Sequence, residues 1–259
     1  MKILWQSFVD ENTNAAYLHR LSDYLNKTAS DGVHVDVIGL TPPARDFGRL
    51  QELRCGISAI KNAIEGERKG YDAFVLGHFQ DPLLYELRSS VDIPVIGLGE
   101  STLLWASHLG QRIALVSLDD AFEVIHLEQV AKYGLSDKLL AITALNMKVE
   151  DFAAAFDGDA DAYQAIVKSF RAIAEKLVDQ GADVIIPAGN LFGLLTANEI
   201  DFKVAHAPVI PCTPIALSWA EQAVKLHKNS GLAPSRGPSF KKADRQSIED
   251  FLNLINGVK

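Results

Sequence analysis

The chain lacks several features that identify a class of protein at once. It has only two cysteines, Cys55 and Cys212, so no disulfide framework is expected. No apolar run approaches the roughly 20 residues that span a bilayer. The first residues lead directly into an apolar strand, without the apolar core of a signal peptide. These absences predict a cytoplasmic protein with no membrane partner.

Other absences limit the partners, cofactors and metals that the protein is expected to bind. The 25 Lys and Arg residues face 33 Asp and Glu residues, and the net charge of -8 disfavours a nucleic-acid partner. The sequence has neither a Walker loop nor a Gly-x-Gly-x-x-Gly motif, so no organic cofactor is expected. It also has no His-x-x-x-His or Cys-x-x-Cys pair, so spacing alone does not indicate a metal site.

A doubled strand pattern is the most informative feature that is present. Residues 70–82 (GYDAFVLGHFQDP) and 181–190 (GADVIIPAGN) both begin Gly-x-Asp and continue with four apolar residues before small ones. A short apolar segment follows each copy, at 93–97 (IPVIG) and 207–211 (APVIP). The repetition predicts two related halves, each with a buried strand that ends at a candidate site.

The alternation of strand and helix patterns along the chain predicts parallel sheets throughout. We therefore predict an α/β protein with two pseudo-symmetric domains. The first comprises residues 1–98 and 210–259, and the second comprises residues 99–209. The active site is expected in the interdomain cleft, where the carboxyl ends of the strands meet. Residues 209–212 are predicted to form the last strand, with Cys212 at its end.

Four short segments, in order along the chain, carry a resemblance to a known family. They are 77–82 (GHFQDP), 94–100 (PVIGLGE), 181–186 (GADVII) and 208–210 (PVI). Together they resemble the aspartate/glutamate/hydantoin racemase superfamily, and within it the hydantoin racemase branch. The resemblance implies a two-domain fold in which a cysteine at each of two strand ends removes or supplies an α-proton. It also implies a homo-oligomer.

The chain departs from the family pattern at both catalytic positions. His78 and Gly189 stand at the positions that match the two cysteines. The first strand ends in residues 6–8 (QSF), where the family usually has Asn-Pro-Asn. The resemblance therefore supports the fold and the cleft, but not racemisation by two cysteines.

Three side chains are predicted to be catalytic: His78, Glu100 and Cys212. An imidazole is a general base near neutral pH or a metal ligand, and a thiolate is a nucleophile or a soft ligand. With the carboxylate they form a plausible site for a divalent transition metal such as Mn, Co or Zn. Each side chain also has a structural explanation: His78 as a hydrogen-bonded loop histidine, Glu100 as a helix cap, and Cys212 as a buried inert cysteine. The alternative to the metal site is a polar cleft without metal.

Residues at strand ends and helix starts are predicted substrate contacts. Backbone N–H groups at helix starts can hold a carboxylate or an oxyanion, although the same residues also serve as ordinary N-caps. The predicted set is Gln6, Ser7, Phe8, Ser101, Ser117, Asn190 and Leu191.

Three functions are consistent with these residues. The first is metal-assisted hydrolysis or desulfurisation of a carboxylate-bearing hydantoin or thiohydantoin ring, with the metal held by His78, Glu100 and Cys212. The alternative is a racemase or isomerase with His78 as one base and Cys212 or bound water serving the other face. The third is a metabolite-binding protein without catalysis.

Overall fold

The computed structural model describes residues 1–42 and 47–257. The strands are β1 Lys2–Gln6, β2 His34–Ile38, β3 Ala73–Leu76, β4 Val95–Gly97, β5 Ile113–Ser117, β6 Leu139–Ala144, β7 Val184–Ala188, β8 Lys203–Val204 and β9 Ala207–Pro208. The α-helices are α1 Ala15–Thr28, α2 Arg49–Arg68, α3 Leu84–Ser90, α4 Leu98–Leu109, α5 Glu123–Lys132, α6 Ala153–Phe156, α7 Ala160–Asp179, α8 Asn190–Leu195, α9 Cys212–Ser230 and α10 Arg245–Asn256. Short 3-10 helices cover Asp120–Phe122, Ser136–Lys138, Val149–Phe152 and Pro238–Phe240.

Two parallel sheets with the same strand pattern confirm the predicted α/β fold. The first sheet has the order β2-β1-β3-β4, and the second has the order β6-β5-β7. A parallel bridge between Ile185 and Val209 adds the equivalent of a fourth position beside β7. In each sheet the strand that ends at a candidate site, β3 or β7, lies next to the first strand of its half.

The helix that follows each sheet in the chain packs against the strands of the other sheet. Helix α4 follows β4 in the chain but packs on β7, whereas α9 packs on β3, β4 and α4. Because of this crossing, the carboxyl ends of β3 and β7 face a common space. The division of the chain after residues 98 and 209 stays a prediction.

Local sequence explains the long helices. In α7, Ile166, Phe170, Ala174 and Leu177 are buried at helical spacing. The carboxylate of Asp159 begins this helix by accepting hydrogen bonds from the backbone of residues 161 and 162. No helix in the described part of the chain is long and apolar enough to cross a membrane.

A glycine lets β3 approach β1 closely just before the candidate site. A Cβ atom on Gly77 would lie 2.3 Å from Nε1 of Trp5 and 2.6 Å from the Gln6 carbonyl oxygen. Trp5 is fully buried, so it cannot move aside cheaply. Gly77 therefore fixes the position at which the chain turns to present His78.

Two details of the predicted fold are corrected. Cys212 begins α9 instead of ending a strand, because Pro208 and Pro211 have no N–H group with which to extend a ladder. The short pair β8–β9 is antiparallel, so the sheets are not parallel throughout.

Candidate active site

A cavity of about 190 Å³ lies at the carboxyl ends of the strands. Its wall includes Ser7 after β1, His78 after β3, Leu118 after β5 and Gly189 after β7. Both sheets therefore contribute to one pocket, as expected for the cleft of such a fold.

His78 is paired with a carboxylate from helix α2. Its Nε2 atom lies 3.0 Å from both carboxylate oxygens of Glu52. The side chains are only 20% and 14% exposed, respectively, so the pair is partly shielded from water. Since an ionised carboxylate only accepts hydrogen bonds, Nε2 carries the proton and Nδ1 carries the lone pair. No described residue forms a hydrogen bond with Nδ1, which leaves this atom available to a ligand.

The electrostatics favour an ionised Glu52. Burial raises the pKa of its carboxyl group. The electrostatic attraction and the hydrogen bond of His78 lower this pKa by more, so the net pKa lies below the usual value. The Phe8 ring packs 4.7 Å from the imidazole, between ring centroids. The imidazole is thus held on one side by a carboxylate and on another by an aromatic ring.

Sequence reasoning missed Glu52, although a signal was present. The buried face of α2 includes Cys55, Gly56, Ala59 and Ile60. Glu52 precedes Cys55 by three positions and Gly56 by four, so it lies on this face. An acidic residue on the buried face of a helix needs a partner, and here the partner is His78.

The equivalent strand end in the second half carries no side chain. A Cβ atom built on Gly189 would meet no atom within 4 Å, outside its own chain neighbours, and its φ of 165° is extended. The next residue, Asn190, donates from Nδ2 to the phenol oxygen of Tyr17 at 2.6 Å. This side of the pocket therefore combines open space with a buried polar contact.

Cys212 lies behind this strand end and does not line the pocket. The side chain is fully buried. Its Sγ lies 3.7 Å from the Gly189 carbonyl oxygen and 3.6 Å from Oδ1 of Asn190. Burial raises the pKa of the thiol to about 12, so the thiolate is disfavoured at neutral pH. The catalytic role predicted for this cysteine has no geometric support.

Glu100 does not point into the pocket either. Its carboxylate pairs with the guanidinium of Arg88 from α3 through two hydrogen bonds, one of which is Nη1 to Oε1 at 2.8 Å. Its backbone nitrogen donates to Oδ2 of Asp81 at 2.6 Å. Asp81 therefore caps α4, and Glu100 forms a partly buried ion pair with Arg88 instead of the predicted catalytic contact.

The predicted metal ligands are not brought together. His78 is bonded to Glu52, Glu100 to Arg88, and Cys212 lies behind Gly189. Across residues 1–42 and 47–257, no group of three or more His, Cys, Asp and Glu side chains is arranged to hold a metal ion. The donor set inferred from the sequence therefore does not fit a Mn, Co or Zn site.

The predicted substrate contacts divide into two groups. Those that line the pocket are Ser7, Phe8, Asn190 and Leu191. Those outside it are Gln6, Ser101 and Ser117. The side chains outside the pocket bind protein groups: Gln6 donates to the carbonyl oxygens of Ser7 and Gly39, Ser101 to its own helix, and Ser117 to Asp119.

A buried polar chain connects the segment after β3 to helix α5. His126 contacts Ser117 through Nε2 and Gln129 through Nδ1, and Gln129 donates to Oδ2 of Asp81 at 3.2 Å. Burial lowers the pKa of His126 to about 4 and raises the pKa of Asp81 to about 7. This chain joins the two halves beside the pocket.

Comparison with known proteins identifies relatives of this chain. The hydantoin racemase of Pseudomonas sp. (strain NS671) is 27% identical over 192 residues, which cover 74% of each chain. The hydantoin racemase of Paenarthrobacter aurescens is 23% identical over 237 residues, which cover 90% of this chain and 95% of the relative. The allantoin racemase from Klebsiella pneumoniae superposes with a TM-score of 0.76 at 21% identity, covering 95% of this chain and 94% of the other.

At such identity the structural likeness supports the fold alone. The family assignment comes from a separate comparison, in which the profile of the Asp/Glu/Hydantoin racemase family matches residues 8–220. Because this match spans most of the chain, the protein belongs to the Asp/Glu/hydantoin racemase family.

Proposed function

We propose that the protein inverts the carbon next to a carbonyl group in a small ring of the hydantoin type. The observation that carries the proposal is the His78–Glu52 pair at the end of β3, in which Nδ1 of the imidazole has no hydrogen-bond partner among the described residues. The family membership and the two hydantoin racemases among its relatives support the reaction class. An imidazole is suited to proton abstraction near neutral pH.

In the proposed reaction, Nδ1 of His78 removes the α-proton from one face of the ring. The electron pair of the C–H bond moves into the neighbouring carbonyl group and forms an enolate. Glu52 stabilises the imidazolium that results, and it holds the ring in the tautomer that has its lone pair on Nδ1. A proton then returns to the same carbon. Return from His78 retains the configuration, and delivery from the other face inverts it.

For the other face we propose that bound water supplies the proton. Cys212, the other candidate from the sequence, is buried behind Gly189 and does not reach the pocket. The space at Gly189 is open, since a Cβ atom there would meet no atom within 4 Å outside its own chain neighbours. Water is a weaker acid than the imidazolium of His78 and, for the opposite enantiomer, a weaker base than imidazole. Proton exchange at the His78 face should therefore be faster than inversion.

The hydrolytic function expected from the sequence loses its basis. It depended on a metal held by His78, Glu100 and Cys212, and these residues, all within the described part of the chain, do not form one group. The relatives are described as racemases, not as hydrolases. Homo-oligomer formation and a cytoplasmic location stay predictions.

The charge of the pocket argues against the carboxylate predicted for the substrate. Its described lining contains Asp10, Glu52 and Glu150 but no lysine or arginine. A substrate carboxylate would meet only like charges from these side chains. We therefore propose a ring whose substituent carries no negative charge.

The test is a racemisation assay by polarimetry on resolved hydantoins with neutral and carboxylate side chains. The expected result is inversion above the uncatalysed rate for the neutral rings, unchanged by a chelator and lost in the variant His78→Asn. Ring opening or loss of sulfur from a thiohydantoin, abolished by the chelator, would instead support the hydrolytic function. Tight binding of a ring without either reaction would support the binding protein.

A further inference from the structure

We propose that the hydroxyl group of Tyr17 donates a hydrogen bond to the ring carbonyl next to the reacting carbon. This inference rests on the proposed function and deepens it, since it assigns the group that stabilises the enolate. Tyr17 lines the pocket and is buried, with 4% of its surface exposed.

The orientation of the phenol follows from its neighbours. Thr213 donates from Oγ1 to Oδ1 of Asn190 at 2.5 Å, which fixes the amide so that Nδ2 faces Tyr17. Nδ2 of Asn190 then donates to the phenol oxygen at 2.6 Å. Because an amide nitrogen cannot accept a hydrogen bond, the phenol proton is not used in this contact.

The proton of the Tyr17 hydroxyl group has no acceptor within the described part of the protein. The hydroxyl oxygen accepts from Asn190, and within the described residues the hydroxyl group donates no hydrogen bond. A buried donor without an acceptor is costly, so this proton points into the pocket and awaits an acceptor there.

This donor suits an enolate oxygen. Donors fixed before the reaction stabilise charge that develops in the transition state, and the low local dielectric strengthens their effect. Tyr17 is tied to Asn190 beside β7, whereas His78 follows β3, so the donor and the base come from different sides of the pocket. Burial raises the pKa of Tyr17, so the phenol keeps its proton and donates only a hydrogen bond.

The variant Tyr17→Phe tests the proposal with little change in packing. The edge contact between Tyr17 and Phe156, with ring centroids 5.2 Å apart, needs only the ring. The matched control is Tyr24→Phe, on the same helix, whose hydroxyl group donates a hydrogen bond to the carbonyl oxygen of Ala197 at 3.4 Å. Melting temperatures of both variants check that the fold is retained.

We expect Tyr17→Phe to lower kcat by about 100- to 1,000-fold, as for removal of one oxyanion donor. KM should rise by about tenfold, the loss of one hydrogen bond to the bound ring, and kcat falls further because the contact strengthens in the transition state. Deuterium exchange of both enantiomers should fall by the same factor, since both pass through the same enolate. Normal kcat in Tyr17→Phe would overturn the proposal.

A binding experiment keeps this inference separate from the proposed reaction. The probes are unsubstituted hydantoin and imidazolidin-2-one, which lacks the carbonyl group assigned to Tyr17. We expect wild type to bind hydantoin at least about tenfold more tightly by calorimetry, and Tyr17→Phe to lose this preference. If wild type binds hydantoin with this preference but racemises no ring, the proposed reaction fails and the subsite stands. Equal affinity of wild type for the two rings, or no binding of either, overturns the subsite.

Discussion

Both carboxylate oxygens of Glu52 lie 3.0 Å from Nε2 of His78, and this contact defines the chemistry of the pocket. The glutamate comes from the first turn of α2 and the histidine from the segment after β3. The contact selects one tautomer of the imidazole and aligns the ring before a ligand arrives. It also supplies the negative charge that an imidazolium needs in a partly buried site.

Replacement of this carboxylate should slow the reaction without preventing substrate binding. We expect Glu52→Gln to lower kcat by about 10- to 100-fold, because the amide cannot stabilise the imidazolium and allows the other tautomer. Steady-state racemisation by polarimetry measures the change. Glu65→Gln is the matched control, since Glu65 lies on the same helix and pairs only with surface lysines. Equal rates for Glu52→Gln and the control would show that His78 acts without Glu52.

A thiol at the second strand end should speed inversion. Gly189 has room for a side chain and an extended φ, so Gly189→Cys should fold normally. A thiol is a better proton donor and base than water. We expect the ratio of inversion to deuterium exchange to rise by about tenfold or more. The ratio is obtained from chiral chromatography and NMR on the same sample, and an unchanged ratio would mean that residue 189 does not face the reacting carbon.

Two buried groups should give opposite pH dependences of stability. The folded pKa of His126, about 4, lies below its ordinary 6.5, so this group costs stability as the pH falls from 6.5 to 4. The folded pKa of Asp81, about 7, lies above its ordinary 3.8, so this group costs stability as the pH rises from 3.8 to 7. Each effect is on the order of 3 kcal/mol over its window.

Single variants should separate these two effects. Relative to wild type, His126→Gln should gain stability towards pH 4, and Asp81→Asn should gain stability towards pH 7. The measurement is the free energy of unfolding in urea at several pH values between 4 and 8. A constant difference between variant and wild type across this range would show that the folded pKa of the replaced group is not shifted.

Much of the fold was predictable, because strands and long helices depend on local patterns. The apolar run of β3 and the residues after it gave the position of His78 correctly. The repeat at β7 likewise located Gly189, since a buried parallel strand can be recognised without its neighbours. The two-sheet architecture followed from the alternation of such strands with helices.

The contacts of the site were harder to predict, because they join elements that are distant in the chain. Glu52 reaches His78 from α2, 26 positions earlier. Glu100 pairs with Arg88 of α3, 12 positions earlier. Cys212 was predicted at a strand end, but the prolines around it end the ladder and place it in the first turn of α9.

The most direct test of the central claim is deuterium exchange at the α-carbon of each resolved enantiomer of a neutral hydantoin. It is followed by NMR in D2O with wild type and His78→Asn, and corrected for exchange without enzyme. We predict that, for one enantiomer, the wild-type protein exchanges the α-proton with retention of configuration faster than it inverts the α-carbon. His78→Asn should lower this exchange by about 100- to 10,000-fold. Exchange at the wild-type rate in His78→Asn would contradict the assignment of His78 as the base.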